Sequence, residues 1–159
     1  MPLWLKTAIF TCIMPGTATV LIPFFVLQAT DNLLPCGWGV FRVAGVILSS
    51  LGVAIYLSCA RNFVVHGHGT PAPIDAPKRL VVQGLYRYTR NPMYVGMLSI
   101  VAGEALYFGS FWLVLYGLFF FAMFHAFVVL YEEPTLERLF GESYRSMREE
   151  IPRWVRRER

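Results

Sequence analysis

Charged residues are scarce in this sequence. They make up 15% of the 159 residues, whereas 56% are hydrophobic, and the mean hydropathy is +0.52. A soluble domain of this size carries about 25% charged residues. The deficit argues against a water-soluble domain and indicates an integral membrane protein. The length predicts a single membrane domain over residues 1–159.

Cysteine is scarce as well, and its spacing excludes the common metal and redox motifs. Cys12, Cys36 and Cys59 lie far apart, so we interpret them as small packing residues. His66 and His68 lie in a loop rich in glycine and proline. A structural metal site needs more ligands than this pair supplies, so no metal is predicted.

A cleavable signal peptide is not predicted, because the first apolar run is too long. It covers about residues 3–27, whereas a signal core has about 7–15 residues. We predict a membrane helix here, kinked near Pro15 and Pro23, since proline is tolerated within membrane helices. Three further membrane helices are predicted over residues 37–60, 92–108 and 111–131.

The last two predicted helices form an antiparallel hairpin. Only Gly109 and Ser110 separate them, which predicts a tight turn. The fourth helix, residues 111–131, would extend about 31 Å, close to the hydrocarbon thickness of about 30 Å.

The distribution of charge predicts the orientation in the membrane. The loop over residues 61–90 has five basic residues and one acid, a net charge of +4 that equals that of the whole chain. Seven arginines follow the fourth predicted helix. The loop between the first and second predicted helices has a single charged residue, Asp31. The positive-inside rule therefore predicts that the long loop and both termini are cytoplasmic. Attraction to anionic lipids accounts for most of these basic residues, so membrane lipids rather than nucleic acids are the expected partners.

The C-terminal tail has a helical pattern of apolar residues. Glu and Arg lie on the opposite face, which predicts an amphipathic helix that either lies on the cytoplasmic surface or folds back over the spans. It is interrupted at Gly141 and ended by Pro152. The predicted fold is all-α: four transmembrane helices plus this C-terminal amphipathic cytoplasmic helix. The apolar stripe consists of Leu136, Leu139, Phe140, Tyr144, Met147 and Ile151.

Two polar clusters lie at the open end of the predicted hairpin. Arg90 and Asn91 precede the third helix, and Glu132 and Glu133 follow the fourth. A zwitterion could be held there, with its carboxylate on the first pair and its ammonium on the acids. A salt bridge between the hairpin ends would account for the same residues, and both interpretations stay open. His125 lies seven residues before Glu132, which predicts the same helix face.

Several short motifs follow one another over about residues 80–156. They are Gly84-Leu85-Tyr86-Arg87-Tyr88, Arg90-Asn91-Pro92-Met93-Tyr94-Val95-Gly96, Glu132-Glu133-Pro134, Phe140-Gly141-Glu142-Ser143-Tyr144 and Ile151-Pro152-Arg153-Trp154. In their order and spacing these motifs resemble one family of membrane enzymes, the isoprenylcysteine carboxyl methyltransferases and phospholipid N-methyltransferases.

The resemblance implies an S-adenosylmethionine site within a cofactor-binding core over about residues 80–156. The amino group of the cofactor would lie at Glu132 and Glu133, and its carboxylate near Arg90, Asn91 and Tyr94. A lipidic acceptor would enter sideways from the bilayer. The remaining cofactor-binding residues expected from the motifs and from the hairpin are Gly84, Tyr86, Tyr88, Pro92, Gly96 and His125.

The chemistry of the acceptor decides whether a base is needed. A carboxylate acceptor needs none, whereas a lipid amine must lose a proton, for which we select His125 and Glu133. Asn91 stands where the family usually has histidine, and Asn cannot act as a base near neutral pH. The stretch over residues 127–130 lacks the arginine that binds the prenylcysteine carboxylate in eukaryotic relatives. Both acceptor types stay open.

Two other classes of protein fit parts of the sequence. One is a membrane reductase of sterol-type enones that uses NADPH, and the other is a non-enzymatic membrane scaffold. Glu104 either faces the helix bundle or lies near the outer interface, close to Gly109. The small size and short loops favour a prokaryotic inner or cell membrane.

Overall fold

The computed structural model describes residues 2–32, 39–67 and 80–154, and every regular element within these ranges is helical. This confirms the prediction of an all-α fold. A short 3-10 turn, Gly84–Arg87, precedes the third helix. In chain order the helices are α1 (Leu3–Ala29), α2 (Val40–Gly67), α3 (Pro92–Phe108), α4 (Phe111–Phe140) and α5 (Glu142–Glu150).

Three of these helices, α1, α2 and α4, are long and apolar enough to cross a membrane. Helix α3 is apolar but has 17 residues, which corresponds to about 26 Å, somewhat less than the hydrocarbon thickness of about 30 Å. It begins at Pro92, whose missing N–H is harmless in a first turn. The fourth membrane crossing therefore stays a prediction.

Helix α1 passes both of its prolines without ending. Between Pro15 and Pro23 the helix widens into a π-helical turn, Thr17–Leu21. The i→i+5 pattern of such a turn would pair the Ala18 carbonyl with residue 23, but proline has no N–H to donate. The Tyr116 hydroxyl on α4 donates to that carbonyl instead, at 2.6 Å. The proline thus creates a contact that joins α1 to α4.

Helices α2 and α3 pack antiparallel with their backbones in direct contact. A Cβ on Gly52 would lie 2.6 Å from the Gly96 carbonyl oxygen, and a Cβ on Gly45 would lie 2.6 Å from that of Gly103. The Ser49 hydroxyl donates to the Ile100 carbonyl at 3.2 Å across the same interface. Small residues allow such close packing, which compensates for the weak hydrophobic drive between helices in lipid. We call these four glycines the glycine seam.

The turn between α3 and α4 forms as predicted. Gly109 adopts the left-handed conformation at φ 62°, which ends α3. Ser110 caps α4, because its hydroxyl accepts a hydrogen bond from the backbone N–H of Leu113. The turn brings the start of α3 and the polar part of α4 to the same end of the bundle.

Helix α4 continues past the predicted end at residue 131. A π-helical turn, Val128–Glu132, leads directly into a further α-helical stretch, Glu133–Phe140. The predicted end of the fourth helix at residue 131 was therefore too early, whereas the predicted interruption at Gly141 is present; an amphipathic helix on the cytoplasmic surface stays a prediction. The helix absorbs Pro134 because this residue follows the π-helical turn, where the ordinary hydrogen-bond pattern is already shifted. It ends at Gly141, whose φ is 52°.

Helix α5 follows Gly141 and packs through Tyr144 and Met147. Its position on the membrane surface stays a prediction. Some sequence-based interpretations lie outside the described residues: the start of the second predicted span at Gly37, Cys36, most of the Gly- and Pro-rich loop with His68, and the charges of Asp75, Lys78 and Arg79.

Candidate functional site

A cleft opens at the end of the bundle where α3 begins and the polar part of α4 lies. Its wall is formed by the segment before α3, the first turn of α3, the π-helical turn of α4 and helix α5. Both polar clusters identified in the sequence border this cleft. Its polar lining residues include Arg90, Asn91, Tyr94, Glu132, Glu133 and Tyr144.

Glu133 lies at the centre of a salt-bridge network. Its carboxylate accepts two hydrogen bonds from Arg153, one from Nε at 2.7 Å and one from Nη2 at 2.9 Å. Arg90 Nη1 lies 3.0 Å from the same carboxylate. The hydrogen bonds to Glu133 raise the pKa of Arg153 above its usual value. The sequence left open whether these residues bind a zwitterion or form a salt bridge between the hairpin ends. For Glu133 the structure has the salt bridge, with Arg90 as its partner.

Arg90 is almost completely buried, with 8% of its side chain exposed. Besides Glu133, its Nη1 donates to the Tyr144 hydroxyl at 3.0 Å. Burial raises the pKa of Tyr144, so this hydroxyl is neutral at physiological pH and accepts the hydrogen bond. The Nε atom of Arg90 is buried and has no hydrogen-bond partner within the described ranges. A buried donor of this kind is costly unless something binds it.

Asn91 borders the cleft, but its side chain is buried against the C-terminal segment 152–154. Its Nδ2 donates to the Arg153 carbonyl at 3.1 Å, and the Thr89 hydroxyl donates to the same carbonyl at 2.9 Å. The backbone N–H of Arg90 donates to the Pro152 carbonyl at 3.0 Å. The segment therefore joins the start of α3 to α4 through both its backbone and its Arg153 side chain.

Glu132 has different surroundings from its neighbour in sequence. The Tyr94 hydroxyl donates to its Oε2 at 2.8 Å, and the Tyr94 ring packs against Phe124. Within the described part of the chain, no basic side chain forms an ion pair with Glu132. Glu133 is thus paired with two arginines, whereas Glu132 accepts a hydrogen bond from a neutral phenol.

Four other predicted site residues have mainly structural positions. Gly84 has φ 64°, and a Cβ there would lie 2.6 Å from Asn62 Nδ2. Tyr86 is buried in the cleft wall, and burial raises its pKa well above the usual value. Pro92 begins α3. The cofactor-binding interpretation is not supported for Gly96, which belongs to the glycine seam.

Tyr88 lies apart from the cleft, and its role in a site stays a prediction that the geometry does not support. Tyr88 is 63% exposed and does not line the cleft. It follows the 3-10 turn Gly84–Arg87, which directs Tyr86 inward. With three residues per turn, positions two apart cannot share a face, so only one of these two tyrosines can point into the cleft.

His125 also lies outside the cleft, which corrects the prediction that it shares a face with Glu132. Its Nδ1 accepts a hydrogen bond from Trp154 Nε1 at 3.1 Å. The π-helical turn between these positions adds about one residue to the helical repeat. The added residue rotates Glu132 away from His125 and brings Glu133 into line with it. The consecutive residues Arg153 and Trp154 accordingly contact Glu133 and His125.

Sequence analysis did not identify Arg153 and Tyr144 as site residues. Arg153 belongs to the Ile151–Trp154 motif and Tyr144 to the apolar stripe of the tail, so both had been noted without a partner. Their contacts depend on how the tail folds back, which has no local signal in the sequence.

Two candidates outside the cleft have no ligand assigned by geometry. Glu104 Oε2 is buried without a hydrogen-bond partner in the described ranges, and Glu104 lies on α3 about 20 Å along the helix from Asn91. His66 lies in the π-helical turn at the end of α2. The described residues contain no group of three or more His, Cys, Asp or Glu suited to a metal ion.

Comparison with known families identifies the class of protein to which the chain belongs. A family model of phospholipid methyltransferases matches residues 40–143, which is well over half of the chain. The protein therefore belongs to the phospholipid methyltransferase family, and it is in general terms a membrane methyltransferase. No curated protein and no solved structure matches the chain in the corresponding searches.

Proposed function

We propose that this protein transfers a methyl group from S-adenosylmethionine to the amine of a membrane lipid. The main supporting observation is the cleft at the start of α3, where Glu132 is an acid without a basic partner among the described residues. A partly buried carboxylate in such a setting favours a cationic ligand. Membership of the phospholipid methyltransferase family provides the reaction class.

The residues of the cleft fit the charged end of this cofactor. Glu132 offers an acceptor for an ammonium group, and the unpartnered Nε of Arg90 offers a donor for a carboxylate. Tyr86, Phe127 and Leu136 give the rest of the lining an apolar and aromatic surface, suited to an adenosine ring. When bound, the cofactor supplies an electrophilic methyl group on a sulfonium.

The acceptor is proposed to be a lipid amine rather than a prenylcysteine carboxylate. A carboxylate acceptor needs a cation of its own, but Arg90 is already assigned to the carboxylate of the cofactor, and Arg153 is paired with Glu133. The acceptor can reach the cleft from the side, because two of its lining residues, Tyr131 and Leu139, are also 48% and 56% exposed. An exposed apolar surface beside a membrane helix is suited to contact with lipid chains.

The protein contributes mainly position to such a reaction. Methyl transfer requires the nucleophile, the methyl group and the leaving sulfur to lie in line, and rigid binding groups provide this alignment. Tyr94 fixes the orientation of Glu132, and the network around Glu133 fixes the orientation of Arg90. The described lining contains no histidine, and Glu133 is held by two arginines, so neither His125 nor Glu133 is retained as the base for the acceptor proton. The lipid amine is proposed to react as the free base after losing its proton to water; its nitrogen then forms the bond to the methyl group as the bond to sulfur breaks, and S-adenosylhomocysteine leaves.

The orientation is proposed from the distribution of charge. The basic loop and the arginine-rich tail favour a cytoplasmic location for both termini and for the cleft. A prokaryotic inner or cell membrane is proposed on the same sequence grounds as before. An accessibility assay with a cysteine introduced at exposed Tyr88 tests the sidedness, since a membrane-impermeant reagent should label it only from the cytoplasmic side.

Methyl transfer can be tested directly with purified protein. The protein is reconstituted in vesicles with S-adenosylmethionine labelled in its methyl group, with either phosphatidylethanolamine or a prenylcysteine analogue as acceptor. Label is expected in the phospholipid and not in the prenylcysteine. Label only in the prenylcysteine would contradict the acceptor assignment, and stabilisation by NADPH but not by S-adenosylhomocysteine would contradict the cofactor assignment.

A further inference from the structure

The two adjacent acids of the cleft differ in a way that the sequence does not reveal. The charge of Glu133 is already neutralised by two arginines. Arg153 forms a bidentate pair with the carboxylate, with N–O distances of 2.7 and 2.9 Å, and Arg90 is the second partner. Glu132 has the Tyr94 hydroxyl at 2.8 Å and no ion pair within the described ranges. Both acids line the same cleft. A cationic ligand there would meet one carboxylate already paired with arginines and one that has no cationic partner among the described residues.

The chain itself supplies the counter-ions of Glu133 and therefore occupies that carboxylate. Arg153 does not line the cleft, and its carbonyl accepts hydrogen bonds from Asn91 and Thr89. Arg90 is held by Glu133 and by Tyr144. Removing the Glu133 charge would leave two guanidinium groups uncompensated, one of them almost completely buried.

We propose that the two acids have separate roles: Glu132 alone binds the ammonium group of the ligand, while Glu133 is a positioning residue that holds Arg90 and the C-terminal segment 152–154. This inference rests on the proposed function for the identity of the ligand. A second observation also indicates a ligand at this position: Arg90, whose side chain is 8% exposed, lines the cleft with its Nε unpartnered in the described part of the chain.

The division of roles has a physical reason. An ammonium group that approached Glu133 would have to compete with two guanidinium groups that already hold both carboxylate oxygens. At Glu132 the same ammonium would meet a partly buried carboxylate whose existing partner is a neutral hydroxyl. Charge-assisted hydrogen bonds are roughly twice as strong as neutral ones, so the ligand gains most at Glu132.

The test compares Glu132→Gln with Glu133→Gln, which are the same chemical change at adjacent positions. The melting temperature is measured without ligand, and the dissociation constant for S-adenosylhomocysteine is measured by calorimetry in detergent. Glu132→Gln is expected to retain the melting temperature and to weaken binding by about tenfold or more. Glu133→Gln is expected to lower the melting temperature by about 5 °C or more and, because Arg90 loses its anchor, to weaken binding as well, but by clearly less than the roughly tenfold expected for Glu132→Gln.

Two further variants keep the test decisive if Glu133→Gln folds poorly. The double variant Glu133→Gln with Arg153→Gln should melt above Glu133→Gln alone, because one uncompensated cation has been removed. Arg153→Gln by itself retains the Arg90 pair, so it should fold, melt below the wild type and bind S-adenosylhomocysteine with nearly unchanged affinity.

The inference is overturned if Glu133→Gln weakens binding as much as Glu132→Gln does, or if Glu132→Gln lowers the melting temperature as much as Glu133→Gln does. A wild-type protein that binds no S-adenosylhomocysteine would overturn the proposed function, and with it the ligand role of Glu132. The melting temperatures without ligand would still decide the positioning role of Glu133.

Discussion

At the glycine seam, Gly45 and Gly103 bring the backbones of α2 and α3 into direct contact, whereas at the cleft Arg90, Arg153 and Glu133 join their segments through charged side chains. The seam depends on the absence of side chains, so any added atom must displace a backbone. The cleft depends on matched charges and hydrogen bonds, so its stability is sensitive to the loss of single polar groups. The two regions should therefore respond to different substitutions.

Gly103→Ala is expected to produce the largest loss of stability among the changes considered in this comparison. The new Cβ would lie 2.5 Å from the Gly45 carbonyl oxygen and would also overlap Ser49 Oγ. Overpacking of this kind costs about 3 kcal/mol. Unfolding in mixed micelles measures the effect.

Gly117→Ala is the matched control for the seam, because the nearest atom to its Cβ would be Val101 Cγ1 at an ordinary 3.5 Å. It is expected to be neutral or to stabilise α4 by up to about 1 kcal/mol, since alanine favours the helix. Equal losses for the two alanine variants would contradict the special role of the seam.

Tyr144→Phe should cause the next largest loss of stability, and it changes the charged network of the cleft rather than the glycine seam. It removes the hydroxyl that accepts from Arg90 Nη1 at 3.0 Å while leaving the ring in place. Leaving a buried donor with one partner fewer costs about 1–2 kcal/mol. Thermal melting of Tyr144→Phe is compared with that of Tyr88→Phe at an exposed position, which should melt like the wild type. Identical melting of both variants would argue against a stabilising role for this hydroxyl.

Tyr116→Phe removes the hydrogen bond to the Ala18 carbonyl and so tests a polar contact within the apolar bundle. Hydrogen bonds between membrane helices contribute about 0.6 kcal/mol on average, so a small destabilisation is expected. Tyr131→Phe, at a half-exposed position, is the reference variant. A loss as large as that of Gly103→Ala would show that polar contacts rather than close packing dominate the bundle.

His125→Gln is expected to have the smallest effect. The side chain lies outside the cleft and contacts Trp154, so methyl transfer should proceed at nearly the wild-type rate. Loss of a general base typically slows a reaction by about 100-fold or more. A decrease of that size would support the interpretation from the sequence and contradict the position of His125 in the structure.

The sequence predicted the helices best where the chain carries its own signals. Pro92 at the start of α3 and Gly109 at its end predicted that helix correctly, because proline and glycine have strong local preferences. The end of α4 was predicted poorly, since the i→i+5 pattern of a π-helical turn has no comparable signal. The same turn explains why His125 was assigned to the cleft: a regular helical repeat gives the wrong face beyond residue 128.

An apolar helical protein with two polar clusters brought to the same end by a hairpin could be predicted from the sequence alone. Apolar composition, proline and glycine act locally, so they can be interpreted without knowing the fold. The folded arrangement was needed to see that Arg153 returns to Glu133 and leaves Glu132 without an arginine within the described residues. That choice depends on where the tail packs, since the energy of a charge is set by neighbours that are distant in sequence.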